Sequence, residues 1–327
     1  MIGGKWKERL LVVGVLSGFL VAITVFMNDM AMQRAFKDRI IEIDNSLLNG
    51  RIRRVYYGQD LPQLDTPGAK REEGAYSWIE GAKFLAIAHQ LGPALRGGPN
   101  TLVTFRAGLE MGFTVFEVDL VLSRDEHLIC YPAGGPYGDE AVDELVYSTY
   151  VATMRKRGLE TCDFVELVTL ARDNPNIRFI LDVKNGPDEF ERVYRTIRSE
   201  VADPTLGLSF IPQIYDFEQV ESFRESPFFA GEIFTAYRSV LTTQQIFQAA
   251  RHFGIRVVTV PLKRFRDWRG EFPDDLFVLT HPVNDPFEAA RILERGARGI
   301  YTGYITHSTV PELFGGWGYR RPNLRLP

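Results

Sequence analysis

Thr114-Val115-Phe116-Glu117-Val118-Asp119-Leu120-Val121-Leu122 is an apolar run of strand length interrupted by two acids. Alternate residues of a strand project to the same side, so Glu117 and Asp119 share one face. Two carboxylates on one strand face repel each other and are costly to desolvate. A chain that places them there needs a setting in which they are used.

The surrounding sequence supplies that setting. Eight further short apolar runs are Phe84–Ala88, Leu128–Cys130, Ile177–Leu181, Leu208–Ile211, Glu232–Phe234, Ile255–Val260, Leu276–Leu279 and Gly299–Tyr301. Amphipathic stretches of helical period lie between most of them, at Leu102–Met111, Phe164–Arg172, Asp188–Glu200, Gln219–Glu225, Thr242–Phe253 and Asp285–Arg295. Strand and helix in alternation imply a parallel sheet. Nine candidates over this span favour a closed (β/α)8 TIM barrel, an α/β fold, over an open sheet. Leu128–Cys130 follows Leu122 too closely for a crossover helix, so it is read as a hairpin extension turning at Arg124-Asp125-Glu126.

The N-terminal end is different in kind. Leu10–Met27 is an uncharged apolar run of 18 residues, about 27 Å as a helix and close to the thickness of a bilayer core. Lys5, Lys7 and Arg9 precede it, which places the N-terminus in the cytoplasm and the rest outside. A cleaved signal peptide is the rival reading, but its apolar core is shorter and Met27–Met32 offers no good cleavage site. The expected organisation is a cytoplasmic N-terminus over 1–9, a transmembrane helix over 10–28, a juxtamembrane helix and stalk over 29–83, the barrel over 84–312 and a tail over 313–327. The expected location is the cell membrane, single-pass, with the barrel extracytoplasmic (periplasmic in a bacterium).

Composition bounds the function. There are 38 Lys plus Arg against 42 Asp plus Glu, for a net charge of −4, which argues against a nucleic-acid partner. Two cysteines, Cys130 and Cys162, leave open one bridge or two buried thiols, and their spacing is not that of a zinc site.

In a barrel the chemistry sits at the C-terminal ends of the strands. Glu117 and Asp119 lie at one such end, Asp182 and Lys184 at another, and His89 follows Leu85–Ala88. Three carboxylates at one mouth suit a divalent cation with oxygen ligands, Ca²⁺ or Mg²⁺. An ammonium beside them suits a phosphate oxygen, and His89 is placed to move a proton. His281, at the end of Leu276–Leu279, points towards the mouth, whereas His127 lies beside the hairpin turn and away from the centre.

On these residues the sequence resembles the glycerophosphodiester phosphodiesterases. Ile87–Gly92, Pro99–Leu102, Phe105–Ala107, Gly112, Phe116–Leu120, Ser123–Asp125 and Leu181–Lys184 follow the order of that family's H-R-G, P-E-N-T, E-x-D, T-x-D-G, H-D and E-x-K motifs. Ile211–Tyr215, Val278–Asn284 and Gly296–Thr302 are similar to its later Q-I-Y, H-T-x-N and G-x-x-G-I-x-T-D segments. The resemblance spans about residues 84–305. It implies a barrel of the phospholipase-C-like phosphodiesterase type and metal-assisted hydrolysis of a glycerophosphodiester or a phospholipid headgroup. It implies His89 as catalytic, Glu117, Asp119 and Asp182 as metal ligands, and Lys184, Gln213 and His281 on the substrate.

Five positions depart from the pattern, the first being Asp182, one methylene shorter than the glutamate of E-x-K. Gln90 replaces the arginine of H-R-G, Pro99 the glutamate of P-E-N-T, Pro132 the second histidine and Gly303 the last aspartate. Proline has no proton to move, and losing a general acid or base costs about 10²–10⁴-fold in rate. Tyr131, Tyr137 and His281 are the candidate substitutes. The alternative to an enzyme is therefore a barrel that keeps its cage, binds a phosphodiester and serves as a subunit of an envelope complex with a protein partner. Lyase chemistry of the sphingomyelinase D or phosphatidylinositol phospholipase C kind also tends to need two histidines.

Overall fold

The computed structural model describes residues 74–94, 97–131, 145–224, 228–237, 239, 241–306 and 309. The expected membrane helix at 10–28, the juxtamembrane helix, Pro132, Tyr137 and the tail at 313–327 lie outside the described residues. Among the described residues no helix is long and apolar enough to cross a membrane.

All nine expected strands are present. They are β1 (Leu85–Ala88), β2 (Val115–Leu122), β3 (Leu128–Cys130), β4 (Arg178–Val183), β5 (Phe210–Ile214), β6 (Ile233–Thr235), β7 (Val257–Pro261), β8 (Phe277–His281) and β9 (Gly299–Thr302). Eight are parallel and run β1-β2-β4-β5-β6-β7-β8-β9, and the ring closes because β1 pairs with both β2 and β9. This is the barrel that the alternation implies. β3 pairs antiparallel with the end of β2, Leu120 facing Cys130 and Leu122 facing Leu128. The hairpin turns at Arg124–Glu126, where Glu126 takes a φ of 63°.

Helices α1 (Ser77–Glu80), α2 (Leu102–Glu110), α3 (Tyr147–Lys156), α4 (Phe164–Asp173), α5 (Phe190–Val201), α6 (Pro204–Gly207), α7 (Glu221–Arg224), α8 (Thr243–His252), α9 (Leu262–Asp267) and α10 (Pro286–Glu294) complete the described part. Thr101 caps α2 through its hydroxyl, and Asp163 with Glu166 forms a capping box on α4. Each such cap satisfies helix N–H groups that have no partner within the helix, worth about 1 kcal/mol. The outer faces of β2, β4 and β5 pack on α2 and α4 through Phe105, Phe116, Phe179, Phe210 and Phe164, with ring centroids 4.7–6.0 Å apart. Burying each such ring stabilises by about 1.5–3 kcal/mol. Gly108 permits the approach, since a Cβ there would lie 2.8 Å from Phe116 Cε1 and 3.0 Å from the Leu91 carbonyl oxygen.

Two features differ from the sequence reading. Residues 74–83, read as the end of a stalk, belong to the barrel. Tyr76 and Ile79 pack with Ile87, Val115, Ile180, Ile211, Ile233 and Val257, at or near the starts of the strands. Trp78 Nε1 donates to the Ala230 carbonyl at 3.0 Å, and the Tyr76 hydroxyl donates to the Glu232 carbonyl at 3.2 Å. Helix α3 was not expected. It buries only Tyr150 and Met154, over a small core with Val121, Ile129, Tyr131 and Leu145, too sparse a pattern to show a helical period.

Of the two states left open for the cysteines, the structure has the bridge. Cys130 and Cys162 form a disulfide across a sequence separation of 32. It ties β3 to the segment entering α4, where Cys130 N–H also donates to the Cys162 carbonyl at 2.9 Å.

Candidate active site

The register of β2 on β4 sets the centre. Asp119 faces Asp182 across the ladder, and Glu117 lies one inward position earlier on β2. All three carboxylates are buried, and one oxygen from each lies within 4.8 Å of the others. The structure thus brings together the three residues expected to hold a metal.

Lys184 joins them. Its Nζ lies 2.7 Å from Asp119 Oδ1 and 2.6 Å from Asp182 Oδ2. Burial would lower its pKa, but the Asp182 and Asp119 charges overcome this and hold it above the usual lysine range. It is a fixed cation. Burial raises the Glu117 carboxyl well above its ordinary value, and the charges of Asp119 and Asp182 add to that. Burial likewise raises Asp182, against the pull of Lys184.

The loop after β1 holds Glu117 and Asp119 from the other side. Gln90 N–H donates to Glu117 Oε2 at 2.7 Å, and Gln90 Nε2 donates to Asp119 Oδ2 at 3.0 Å. Gln90, Leu91 and Asn100 all take positive φ, at 53°, 67° and 56°. Such conformations cost side-chain-bearing residues on the order of 1 kcal/mol each and persist where surrounding bonds enforce them. Here the bonds are visible. Asn100 N–H donates to the Gln90 carbonyl at 3.0 Å, its Nδ2 donates to Asp119 Oδ2 at 2.8 Å, and its Oδ1 accepts from Asp119 N–H at 3.1 Å.

His89 opens this loop. Its Nε2 lies 4.0 Å from Glu117 Oε2, and its side chain is about one-third exposed. Burial lowers its pKa, with the Asp119 charge opposing. The ring is accessible beside the carboxylates.

Below the cluster runs a hydrogen-bonded chain. The Tyr215 hydroxyl donates to Asp182 at 2.8 Å, Gln213 Nε2 donates to that hydroxyl at 3.1 Å, and Tyr301 OH donates to Gln213 Oε1 at 3.3 Å. Gln213 is buried and engaged at both ends, so the structure places it beneath Tyr215. His281 ends β8, with its ring 5.7 Å from Tyr301 and 6.1 Å from Tyr237. Burial lowers its pKa to about 4, and the charges of His89 and Lys184 add to this. His127 stacks on Tyr147 with centroids 4.6 Å apart, outside the mouth as expected.

Asn100, Gln90, Tyr215 and Tyr301 are the site residues that sequence reasoning did not assign. Asn100 and Tyr215 lie inside the Pro99–Leu102 and Ile211–Tyr215 segments, so a signal was present. Their roles depend on partners 19 and 33 residues away, which no local pattern reveals.

Three buried carboxylates face one ammonium, so the cluster carries excess negative charge unless Glu117 takes a proton or a cation enters. Burial first, and then the Asp119 and Asp182 charges, hold the Glu117 carboxyl above its ordinary value. An all-oxygen donor set of this size fits a hard divalent cation.

A parallel (β/α)8 barrel with an acidic mouth is the class this geometry defines. No protein-family model matches the chain, and no curated protein matches it by sequence. Its structural likeness is to solved glycerophosphodiester phosphodiesterases. A glycerophosphodiester phosphodiesterase from Parabacteroides distasonis is 16% identical with a TM-score of 0.56, covering 71% of this chain and 97% of that one. A phosphodiesterase from Oleispira antarctica, in complex with the product sn-glycerol-3-phosphate, is 15% identical with a TM-score of 0.53, covering 74% and 99%. At such identities the likeness establishes the fold, and the fold is that of these phosphodiesterases.

Proposed function

We propose that the chain is a membrane-anchored, metal-dependent phosphoric diester hydrolase that acts outside the cytoplasm on glycerophosphodiesters or phospholipid headgroups. The observation that carries this reading is the Glu117–Asp119–Asp182 cluster with Lys184 bound between two of its members. The neighbours' fold and the glycerol phosphate in the Oleispira antarctica structure support the substrate class. The Cys130–Cys162 bridge supports an oxidising compartment, in agreement with Lys5, Lys7 and Arg9 before the apolar run.

Glu117, Asp119 and Asp182 would hold the cation, Ca²⁺ or Mg²⁺, which supplies Lewis-acid polarisation of a phosphoryl oxygen when bound. The chain's own residues do the rest. Lys184 presents its ammonium to a phosphate oxygen at the mouth. His89, in its protonated form, gives its Nε2 proton to the leaving alkoxide and is left neutral. Gln90, Asn100 and Tyr215 hold the carboxylates in place, and Gln213 holds Tyr215. His281 borders the substrate on the β8 side. The products are an alcohol and a glycerol phosphate, with water adding across the P–O bond that breaks.

One observation favours a second reading. Pro132 stands where the resemblance places the second histidine. In that reading the cage binds a phosphodiester without turnover, as a subunit of an envelope assembly. The deciding experiment incubates the full chain with several glycerophosphodiesters in Ca²⁺, in Mg²⁺ and with chelator. Metal-dependent release of glycerol phosphate, abolished by Asp119→Asn, supports the enzyme. Metal-dependent binding with no release supports the second reading.

A further inference from the structure

Five large hydrophobic side chains stand exposed among the described residues: Val165, Leu208, Tyr237, Phe287 and Tyr304. Three of them occupy one place in the fold. Tyr237 follows β6, Phe287 follows β8 at the start of α10, and Tyr304 follows β9. The C-terminal ends of these strands form the mouth, so the three aromatics sit on the rim beside the site. Phe287 is 79% exposed and Tyr237 66%.

Packing does not account for them. Helix α10 buries Ala289 and Ile292 and needs no help from Phe287. The backbone beneath two of the rim residues, Phe287 and Tyr304, is nevertheless held. Phe287 N–H donates to Asp285 Oδ1 at 2.9 Å, and Tyr304 N–H donates to Thr302 Oγ1 at 3.2 Å while its carbonyl accepts from Thr309 Oγ1 at 2.9 Å. Fixed backbone displaying aromatic rings to solvent is a surface made to meet something. Tyrosine rings, with a polar edge, partition to the boundary between lipid and water, and a phenylalanine beside them adds apolar area to bury there.

The same chain carries the apolar run Leu10–Met27, so a bilayer is the surface this mouth meets at highest local concentration. The chain enters the barrel at its closed end through α1, so the tether must be able to span the barrel. Residues 28–73 reach about 70 Å even when wound as a helix, whereas β2, the longest strand, spans about 26 Å. Length therefore permits the mouth to face the bilayer, and the rim supplies the orientation.

We infer that the rim formed by Tyr237, Phe287 and Tyr304 docks the mouth onto the lipid surface, so that the phosphodiester is taken from a membrane lipid in place. The docking stands on the exposed aromatics, whereas the choice of lipid over a soluble diester rests on the proposed function.

The two parts are tested separately. All the cysteine in the sequence is in the Cys130–Cys162 bridge, so Phe287→Cys and Leu208→Cys each offer one reactive thiol for an environment-sensitive fluorophore. Leu208 precedes β5 at the closed end and serves as the reference. The labelled full chain is reconstituted in phosphatidylcholine–phosphatidylglycerol vesicles carrying a shallow spin-labelled lipid. Quenching at Phe287 at least about twofold stronger than at Leu208 is expected for a ring at the interface. Equal quenching at the two positions, or failure of the chain to float with the vesicles, overturns the docking. Phe287→Ser should lower release of headgroup from vesicle phospholipid about tenfold and leave hydrolysis of a water-soluble glycerophosphodiester unchanged. Equal losses on both substrates overturn the membrane source. If neither substrate is hydrolysed by the unsubstituted chain, the proposed function fails while the quenching result still decides the docking.

Discussion

Asp119 and Asp182 face one another across the β2–β4 ladder with the Lys184 ammonium between them, 2.7 Å from one and 2.6 Å from the other. One cation is therefore shared by two acids, which leaves a negative charge uncompensated before Glu117 is counted. Several consequences can be measured.

Millimolar Ca²⁺ or Mg²⁺ should stabilise the folded chain by linkage. At a free ion concentration of 100 times Kd the gain is about 2.7 kcal/mol, or about 5–10 °C in Tm for a domain of this size. Asp119→Asn should abolish the rise. Thermal unfolding with and without the ions checks this, and an unchanged Tm in the native chain would remove the metal from the account.

His89→Ala should lower kcat by about 10²-fold or more with little change in KM, because the ring acts on the leaving group and not on binding. Pro132→His should raise activity, since it restores the histidine of the motif. Steady-state kinetics on a glycerophosphodiester separates the two parameters. A loss confined to KM would contradict the role given to His89.

Replacing both Cys130 and Cys162 with serine should cost about 2–4 kcal/mol, since the bridge closes a long loop. The loss is read as a fall in Tm, and reducing agent should reproduce it in the native chain. Insensitivity to both would mean that the hairpin and α4 are held without the bridge.

Glu200 gives a pH dependence away from the metal cluster. Among the described residues one of its oxygens is buried without a hydrogen-bond partner, and burial raises its pKa to about 7. A carboxyl raised on folding is favoured while protonated. Its penalty is absent below the unfolded pKa, grows as pH rises from about 4.5 to about 7, and is constant above. Glu200→Gln should therefore raise Tm more at pH 8 than at pH 4. The half-exposed position keeps the gain small, and an equal shift at both pH values would rule out the titration.

A reporter fused after Pro327 should be active only outside the cytoplasm. This is the outcome the proposed topology gives, from three basic residues before an 18-residue apolar run. Activity of a cytoplasmic reporter would reverse the topology and remove the lipid-facing reading with it.

Much of the barrel was legible because its strands announce themselves. Val115–Leu122 is an apolar run broken only by two acids that alternate inward, and Arg178–Val183 is an apolar run with one acid near its end; period-2 spacing puts Glu117 and Asp119 on one face, and the rule that barrel chemistry sits at strand ends adds Asp182. What sequence did not reveal was relational. Tyr215 and Asn100 bind carboxylates on other strands, and neither bond follows from neighbours in the chain. The left-handed turn at Gln90 and Leu91 carries no glycine to mark it, because the bonds to Glu117 and Asp119 enforce it. Helix α3 was hidden because its buried face is only two side chains wide.

The segment ahead of β1 sets where this protein can be cut. Tyr76 lies over Gly231, where an added Cβ would come within 2.7 Å of its ring, and Trp78 and Ile79 complete the seal. A fragment beginning at residue 84, the boundary that apolar periodicity suggests, would lack this floor. Water would reach Ile87, Ile180 and Ile233 from beneath, on the side away from the chemistry. A chain shortened to residue 84 should therefore be less stable than one that keeps residues 74–83, with every residue of the mouth still in the polypeptide.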